Sequence, residues 1–279
     1  MTEARALVAE AATTLAAAGV ESPVNDAEIL LAHVLGTGRG NLAVARVGDD
    51  ARTAFLALVE RRTAREPLQH LTGSTGFRYA DLAVGPGVFT PRPETELLAG
   101  WAVEAARGLE TPVVVDLCTG SGAIARSLAE EVPHARVHAV ELDPDAFTWA
   151  QRNLAGTGVD LREGDMADAF PDLDSTVDVV VCNPPYIPLT EFEGVDRETR
   201  EHDPHLALFS GEDGLDAMRV LERTAARLLR PGGVVGAEHA DLQGESAPAV
   251  FARAGRWTDV RDHLDLAGRP RYLTARLAR

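Results

Sequence analysis

A chain of 279 residues, at roughly 150 per domain, has room for two domains or for one large domain with an appendage. Its 45% hydrophobic and 25% charged content is that of an average globular protein, which excludes disordered, collagen-like and disulfide-scaffold chains. With 27 basic residues against 43 acidic ones the net charge is −16, the opposite of the footprint by which non-specific nucleic-acid binders neutralise phosphates.

From residue 3 to about 65 the chain is rich in Ala and Leu at helical spacing. Breaks at Gly19, at Ser22-Pro23 and between Gly36 and Gly40 divide it into four or five short predicted helices. Arg61, Arg62 and Arg65 near its end form a basic cluster, expected on a solvated face, with partner docking as the alternative. Glu66-Pro67 closes the last helix, because the residue before Pro is pushed out of the helical region. The alternation through Gly76-Phe77-Arg78-Tyr79 and Leu82-Ala83-Val84 then predicts a short β-hairpin.

Beyond residue 93 strands alternate with helices. Pro112–Asp116, Ala135–Val140, Val177–Cys182 and Gly233–Glu238 read as strands, and Ala123–Glu131, Pro144–Leu154 and Leu215–Leu229 as helices. Such alternation specifies an α/β fold with a parallel sheet covered on both faces. The dense charge mixture from Thr190 to Ser210 reads as an insertion over the site. No apolar run approaches the ~20 residues of a membrane span, and the N-terminus lacks a basic leader, so a cytoplasmic protein is expected. Cys118 and Cys182 are expected to be free, buried and not nucleophilic, and the eight His lack ligand spacing, so no metal is expected.

Asp116-Leu117-Cys118-Thr119-Gly120-Ser121-Gly122 runs from an apolar strand into a helix. Gly120 and Gly122 permit a tight turn and close ligand approach at the helix N-terminus. G-x-G alone is a weak signal, since Ala125 stands where the dinucleotide fingerprint has its third glycine. Glu141 sharpens it: a carboxylate at the next strand end, about 20 residues on, is placed to accept from both ribose hydroxyls. Asp143, before Pro144, is instead expected to cap the following helix. A nucleoside ligand follows, with NAD, ATP and S-adenosylmethionine all open.

Asn183-Pro184-Pro185-Tyr186 follows the Val177–Cys182 strand. The two prolines stiffen the turn and remove two donors, so that the Asn183 carboxamide and the Pro184 carbonyl form an acceptor pair suited to an –NH2 group. Tyr186 offers a flat face on which a planar amide or base can lie. The set holds a weakly basic planar nitrogen with its lone pair toward a sulfonium methyl, a task of positioning and charge stabilisation.

The Asn-Pro-Pro-Tyr turn resembles that of S-adenosylmethionine-dependent amino-methyltransferases, which act on exocyclic base nitrogens or glutamine amides. Residues 66–73 (Glu-Pro-Leu-Gln-His-Leu-Thr-Gly) and 89–96 (Phe-Thr-Pro-Arg-Pro-Glu-Thr-Glu) are similar to the linker and entry helix of the release factor glutamine methyltransferases. Residues 211–216, 230–233 and 265–271 are similar to that family's closing segments. The resemblance implies a helical substrate-docking domain at 1–75, a hairpin linker at 76–92, and a Rossmann-like seven-stranded catalytic domain at 93–279 whose last strand is antiparallel. It further implies transfer to N5 of the glutamine in the Gly-Gly-Gln motif of bacterial peptide-chain release factors, with S-adenosylhomocysteine as product.

Carried over by position, the resemblance puts Asp116, Thr119, Gly120, Gly122 and Asn183 along the cofactor. Glu141 takes its ribose, and Asp165 or Met166 its adenine. Asn183, Pro184, Pro185 and Tyr186 hold the glutamine, and Phe89 and Arg92 close the pocket. Three positions depart from the family pattern: Met166 where an aromatic is common, Asp203-Pro204 for Glu-Pro, and Ala240 after Glu238-His239 where Gly is usual. Rival readings are a glutamine methyltransferase acting on a ribosomal protein and, disfavoured by the charge, a nucleic-acid amino-methyltransferase acting on a flipped base. A monomer without stable nucleic acid is expected.

Overall fold

A computed structural model describes residues 3–279, which divide into two compact units. The first runs to Ser74 and also includes Asp196–His202. It is built from α1 (Glu3–Ala17), α2 (Pro23–Val34), a 3-10 turn at Arg39–Asn41, α3 (Asp49–Thr63) and α4 (Leu68–Thr72). Pro23 opens α2 at a position where its missing N–H costs nothing. Asp49 and Asp50 begin α3 and Arg61 and Arg62 end it, charges that complement the helix dipole. Leu7, Leu15, Leu30, Leu31 and Phe55 make up the buried centre.

Of the arginine cluster, Arg61 is exposed as expected, whereas the side chains of Arg62 and Arg65 are largely buried. Arg62 is 6% exposed; its Nε bonds Asp26 at 2.9 Å and its Nη1 bonds Glu198 at 2.6 Å. Arg61 pairs with Glu66, and Arg65 donates to the Gly19 carbonyl. These ion pairs draw the helix Arg197–His202 into the helical unit, so residues 196–202 do not belong with the rest of 93–279. The pairing spans 136 positions, and local pattern carries no trace of it.

The second unit opens with the hairpin β1 (Ser74–Phe77) and β2 (Ala80–Ala83), turned at Arg78 with φ +51°. It continues with α5 (Thr95–Arg107), β3 (Val113–Leu117), α6 (Ala123–Glu131), β4 (Arg136–Glu141), α7 (Pro144–Leu154), β5 (Asp160–Glu163) and β6 (Val177–Cys182). The Arg197–His202 helix is α8; α9 (His205–Leu208), α10 (Asp216–Leu228), β7 (Leu229–Glu238), α11 (Ser246–Arg253), β8 (Trp257–Leu264) and β9 (Pro270–Leu277) complete the chain.

The seven-stranded sheet has the order β5-β4-β3-β6-β7-β9-β8, parallel from β5 to β7, with the last strand antiparallel between β7 and β8. Side chains alternate across it. Val179 and Val181 of β6 join Leu98, Ile124 and Leu128 on one face, while Val180 and Cys182 join Met218, Leu221 and Phe251 on the other. The strand order runs outward from β3 in both directions, through β4 and β5 on one side and β6 and β7 on the other. In open α/β sheets ligands bind at the strand C-termini beside such a switch point.

β5 has no counterpart in the sequence reading: an edge strand spelled Asp-Leu-Arg-Glu needs no apolar run. β7 begins at Leu229 rather than Gly233, because Arg230–Gly233 is absorbed in a register shift opposite Val177 and Val179, where a Pro is tolerated. Among the described residues, no helix is long and apolar enough to cross a membrane.

Removing a buried, charged hydrogen-bond partner costs about 1.5 to 3 kcal/mol where, as for Arg62 with Glu198, a second carboxylate still compensates the charge. Asp26→Ala is expected to lower the denaturant midpoint of the helical unit accordingly, followed by circular dichroism, whereas Glu28→Ala, on an exposed pair with Arg39, shifts it by less than about 1 kcal/mol.

Candidate functional site

At the end of β3 the Asp116 side chain is fully buried. Its Oδ2 accepts from the Thr119 hydroxyl at 2.6 Å and the Ala125 N–H at 3.1 Å, while Oδ1 is buried without a partner. Burial pushes this carboxyl up to about 7, against the pull of those two donors and with help from Glu141. The chain then turns through left-handed conformations at Cys118, Gly120 and Gly122. Gly122 sits at φ +85°, a conformation that favours glycine, and a Cβ there would also crowd Leu154 at 3.0 Å. A Cβ on Gly120 would meet nothing within 4 Å: this backbone faces open space.

Glu141 lies at the end of β4, as expected, but its carboxylate is already engaged. Oε1 accepts from the N–H groups of Leu142 and Asp143, both at 2.9 Å, and Oε2 accepts from Gly120 at 2.7 Å. Burial raises its pKa, and the same three donors oppose the rise. Of roughly four acceptor positions on a carboxylate, one remains. Asp143 caps α7 through the Asp145 N–H. Asp165, beyond β5, accepts from Ala167, and Met166 is buried with its sulfur 3.7 Å from the Cys118 thiol. Cys182 is buried against Cys118, and burial lifts its thiol well above the usual range.

The pairing of Leu117 with Cys182 brings the turn after β6 beside the glycine loop. Asn183 Nδ2 donates to Thr95 Oγ1 at 3.3 Å, so Oδ1 is the atom left to accept. The Tyr186 hydroxyl donates to Glu238 Oε1 at 3.2 Å, at the end of β7. Its backbone is pinned as well: the N–H donates to Leu208, and the carbonyl accepts from Gln243 Nε2 at 3.0 Å. Gly214, at φ +73°, lets the 211–216 segment close on this carbonyl, since a Cβ there would lie 2.3 Å from it. Burial and Glu238 raise the Tyr186 pKa and keep the phenol neutral.

Arg92 lies 5.1 Å over the Phe89 ring and bonds the buried Asp203 at 2.7 Å. The structure therefore assembles Asn183, Pro184 and Tyr186 beside the Asp116–Gly122 loop, and it pairs Phe89 with Arg92. Sequence reasoning missed Thr95, Asp203, Glu238 and Gln243. A carboxylate closing an apolar strand, as at Glu141, was a signal available for Glu238.

Residues 6–73 match the family described as PrmC N-terminal domain, and residues 114–202 the family described as methyltransferase domain. The chain is 60% identical over 97% of both chains to the release factor glutamine methyltransferase of Streptomyces coelicolor. It is 48% identical over the full length of both to the enzyme of that name from Mycolicibacterium smegmatis. A solved methyltransferase from Pyrococcus furiosus shares the fold, with a TM-score of 0.53 at 18% identity, covering 79% of this chain and all of that one.

Asp116 generates a pH prediction. Its folded pKa near 7 lies above the unfolded value of 3.8, so between those limits the folded state binds more protons and loses stability as pH rises. Asp116→Asn is expected to remove that part of the slope, at most about 1.4 kcal/mol per pH unit, so that the variant gains on the wild type in thermal unfolding from pH 4 to pH 8.

Proposed function

The chain belongs to the release factor glutamine methyltransferase family, and from that membership we propose that it transfers the methyl group of S-adenosylmethionine to N5 of the glutamine in the Gly-Gly-Gln motif of peptide-chain release factors. The observation that carries this reading is the Asn183 amide, whose nitrogen donates to Thr95 and whose oxygen is left to accept, next to a Pro184 that can offer only a carbonyl. Two acceptors on a stiff turn fit the two hydrogens of a primary amide.

The residues present fit the cofactor. Asp116 Oδ1, a buried acceptor without a partner, would hold the ammonium of its amino-acid end. Open backbone at Gly120 leaves room along it, and Glu141 would take ribose hydroxyls by exchanging its Gly120 bond or using its remaining acceptor position. Asp165 and Met166 would flank the adenine. When bound, S-adenosylmethionine supplies an electrophilic sulfonium methyl.

What the chain itself contributes is placement. Asn183 Oδ1 and the Pro184 carbonyl fix the amide nitrogen in line, and both bonds strengthen as positive charge gathers on that nitrogen. Tyr186, neutral and pinned at three atoms, walls the amide. Arg92 over Phe89 closes the pocket. The helical unit, the segment to Ser74 with Asp196–His202, is read as the docking domain for the protein substrate. We read the enzyme as a cytoplasmic monomer; that it needs no nucleic acid is supported by the net charge of −16.

The test is incubation with labelled S-adenosylmethionine and, separately, purified release factor, ribosomal proteins and RNA, followed by mass mapping. Label on the Gly-Gly-Gln glutamine is expected; label confined to another substrate overturns the reading. Removing one preorganised partner costs about 10²- to 10³-fold. Asn183→Ala is therefore expected to lose that much in single-turnover rate while keeping S-adenosylhomocysteine affinity by calorimetry, and a rate within threefold of wild type would make the turn merely structural.

A further inference from the structure

We propose that Gln243 is a positioning residue that aims the Pro184 carbonyl by holding the far end of the Asn-Pro-Pro-Tyr turn, an inference that rests on the function proposed above. Gln243 lies in the short 3-10 turn Asp241–Gln243 after β7 and is 6% exposed. Its carboxamide joins three segments of the chain. Oε1 accepts from the Ala240 N–H at 3.0 Å, and Nε2 donates to the Tyr186 carbonyl at 3.0 Å, with the Asp213 and Gly214 carbonyls each 3.4 Å from the same nitrogen.

The partners settle which way the amide points. A backbone N–H can only donate and a carbonyl can only accept, so the oxygen must face Ala240 and the nitrogen the three carbonyls. Ala240 stands at φ −65°, an ordinary extended conformation, so the residue that departs from the family pattern leaves this bond intact. Gly214 packs directly over the contact: a Cβ there would lie 2.3 Å from the Tyr186 oxygen and 2.7 Å from Gln243 Nε2. With the amide buried and the glycine over it, loss of the bond leaves the Tyr186 carbonyl short of a donor.

The turn carries this restraint to the acceptor pair. Its near end is fixed by β6, where Cys182 is in register with both Leu117 and Ala237. Its far end is fixed at Tyr186, whose N–H donates to Leu208 and whose carbonyl accepts from Gln243. Between these anchors the two prolines lock φ, so few torsions remain free. A shift of the Tyr186 backbone must be absorbed by those torsions, and ψ of Pro184 is the one that aims its carbonyl. Gln243 therefore acts on the substrate –NH2 through the turn.

The titratable groups on the surrounding elements are engaged with one another: Tyr186 with Glu238, His239 with Asp262 of β8, Arg271 of β9 with Asp265, and Asp213 and Asp216 with Arg219. Their titration is common to all variants at position 243, which are therefore compared with one another at the same pH.

The experiment is single-turnover methylation of saturating release factor at pH 6 and pH 9 by the wild type, Gln243→Met and Gln243→Glu, with S-adenosylhomocysteine affinity by calorimetry and folding by circular dichroism. Gln243→Met keeps the length of the side chain but not its donor. It is expected to lose about 10- to 100-fold in kcat, the scale of a misplaced reacting group, with KM for release factor and S-adenosylhomocysteine affinity within about threefold. In Gln243→Glu, burial among carbonyls keeps the new carboxyl protonated at pH 6, where it can accept from Ala240 and donate to Tyr186. That variant is expected to outrun Gln243→Met at pH 6 by about fivefold or more, the scale of one hydrogen bond, and to lose its lead at pH 9, where a carboxylate faces the carbonyls. Gly214→Ala pushes on the same Tyr186 carbonyl from the 211–216 segment, is expected to show the same kcat loss, and carries the test if the variants at 243 do not fold. Folded Gln243→Met or Gly214→Ala at the wild-type rate, a loss that falls on KM or cofactor affinity, or no lead for Gln243→Glu at pH 6 overturns the inference. Failure of the wild type to label the Gly-Gly-Gln glutamine overturns the function itself and is seen before any variant is made.

Discussion

The pairing of β3 with β6 is the interaction on which the site depends. Apart from Asp116 and Asp178 both strands are apolar, so the sheet can bury them on both faces and their register is fixed over successive residues, from Val114 opposite Val179 to Leu117 opposite Cys182. A slip of one residue would send every side chain of β6 to the opposite face, with valines displaced from two cores at once. Because the register holds, the two strands end level. The loop that begins at Cys118 and the turn that begins at Asn183 start side by side, and each is then shaped by its own local chemistry. No direct bond between loop and turn is needed to place them.

What surrounds these two segments is unusual for an interior. Asp116 and Glu238 are both fully buried, both hold an oxygen without a partner, and both have their pKa raised to about 7. An ordinary core excludes such groups or pairs them completely. They occur here at the C-terminal ends of two strands of one sheet, β3 and β7, which flank β6 or border it directly. Strain and unmet polarity concentrated around a binding crevice are what a site prepared in advance for charged and amide ligands requires.

The parts legible in the sequence were those whose chemistry is local. The glycine loop, the Asp143-Pro144 cap and the Asn-Pro-Pro-Tyr turn declare themselves within a few residues, and the valine runs announce the central strands. β5 was silent because an edge strand need not be apolar. The partners of the turn, Thr95 and Glu238, lie 88 and 52 positions from the residues they bond, and no periodicity links such pairs. Glu141 is an intermediate case: its position at the strand end was readable, whereas its engagement by three backbone N–H groups depends on how the neighbouring loop folds back.

The helix Arg197–His202 is part of the helical unit although the chain reaches it only after building most of the sheet. The helical unit is thus complete only late in synthesis. When its first four helices leave the ribosome, Arg62 has Asp26 but not Glu198, whose codon lies 136 positions downstream. At bacterial elongation rates of about 5 to 20 residues per second, that is an interval on the order of ten seconds. Through it the nascent helices carry a half-compensated charge, and the unit's final stability arrives with a segment of chain translated between β6 and α10.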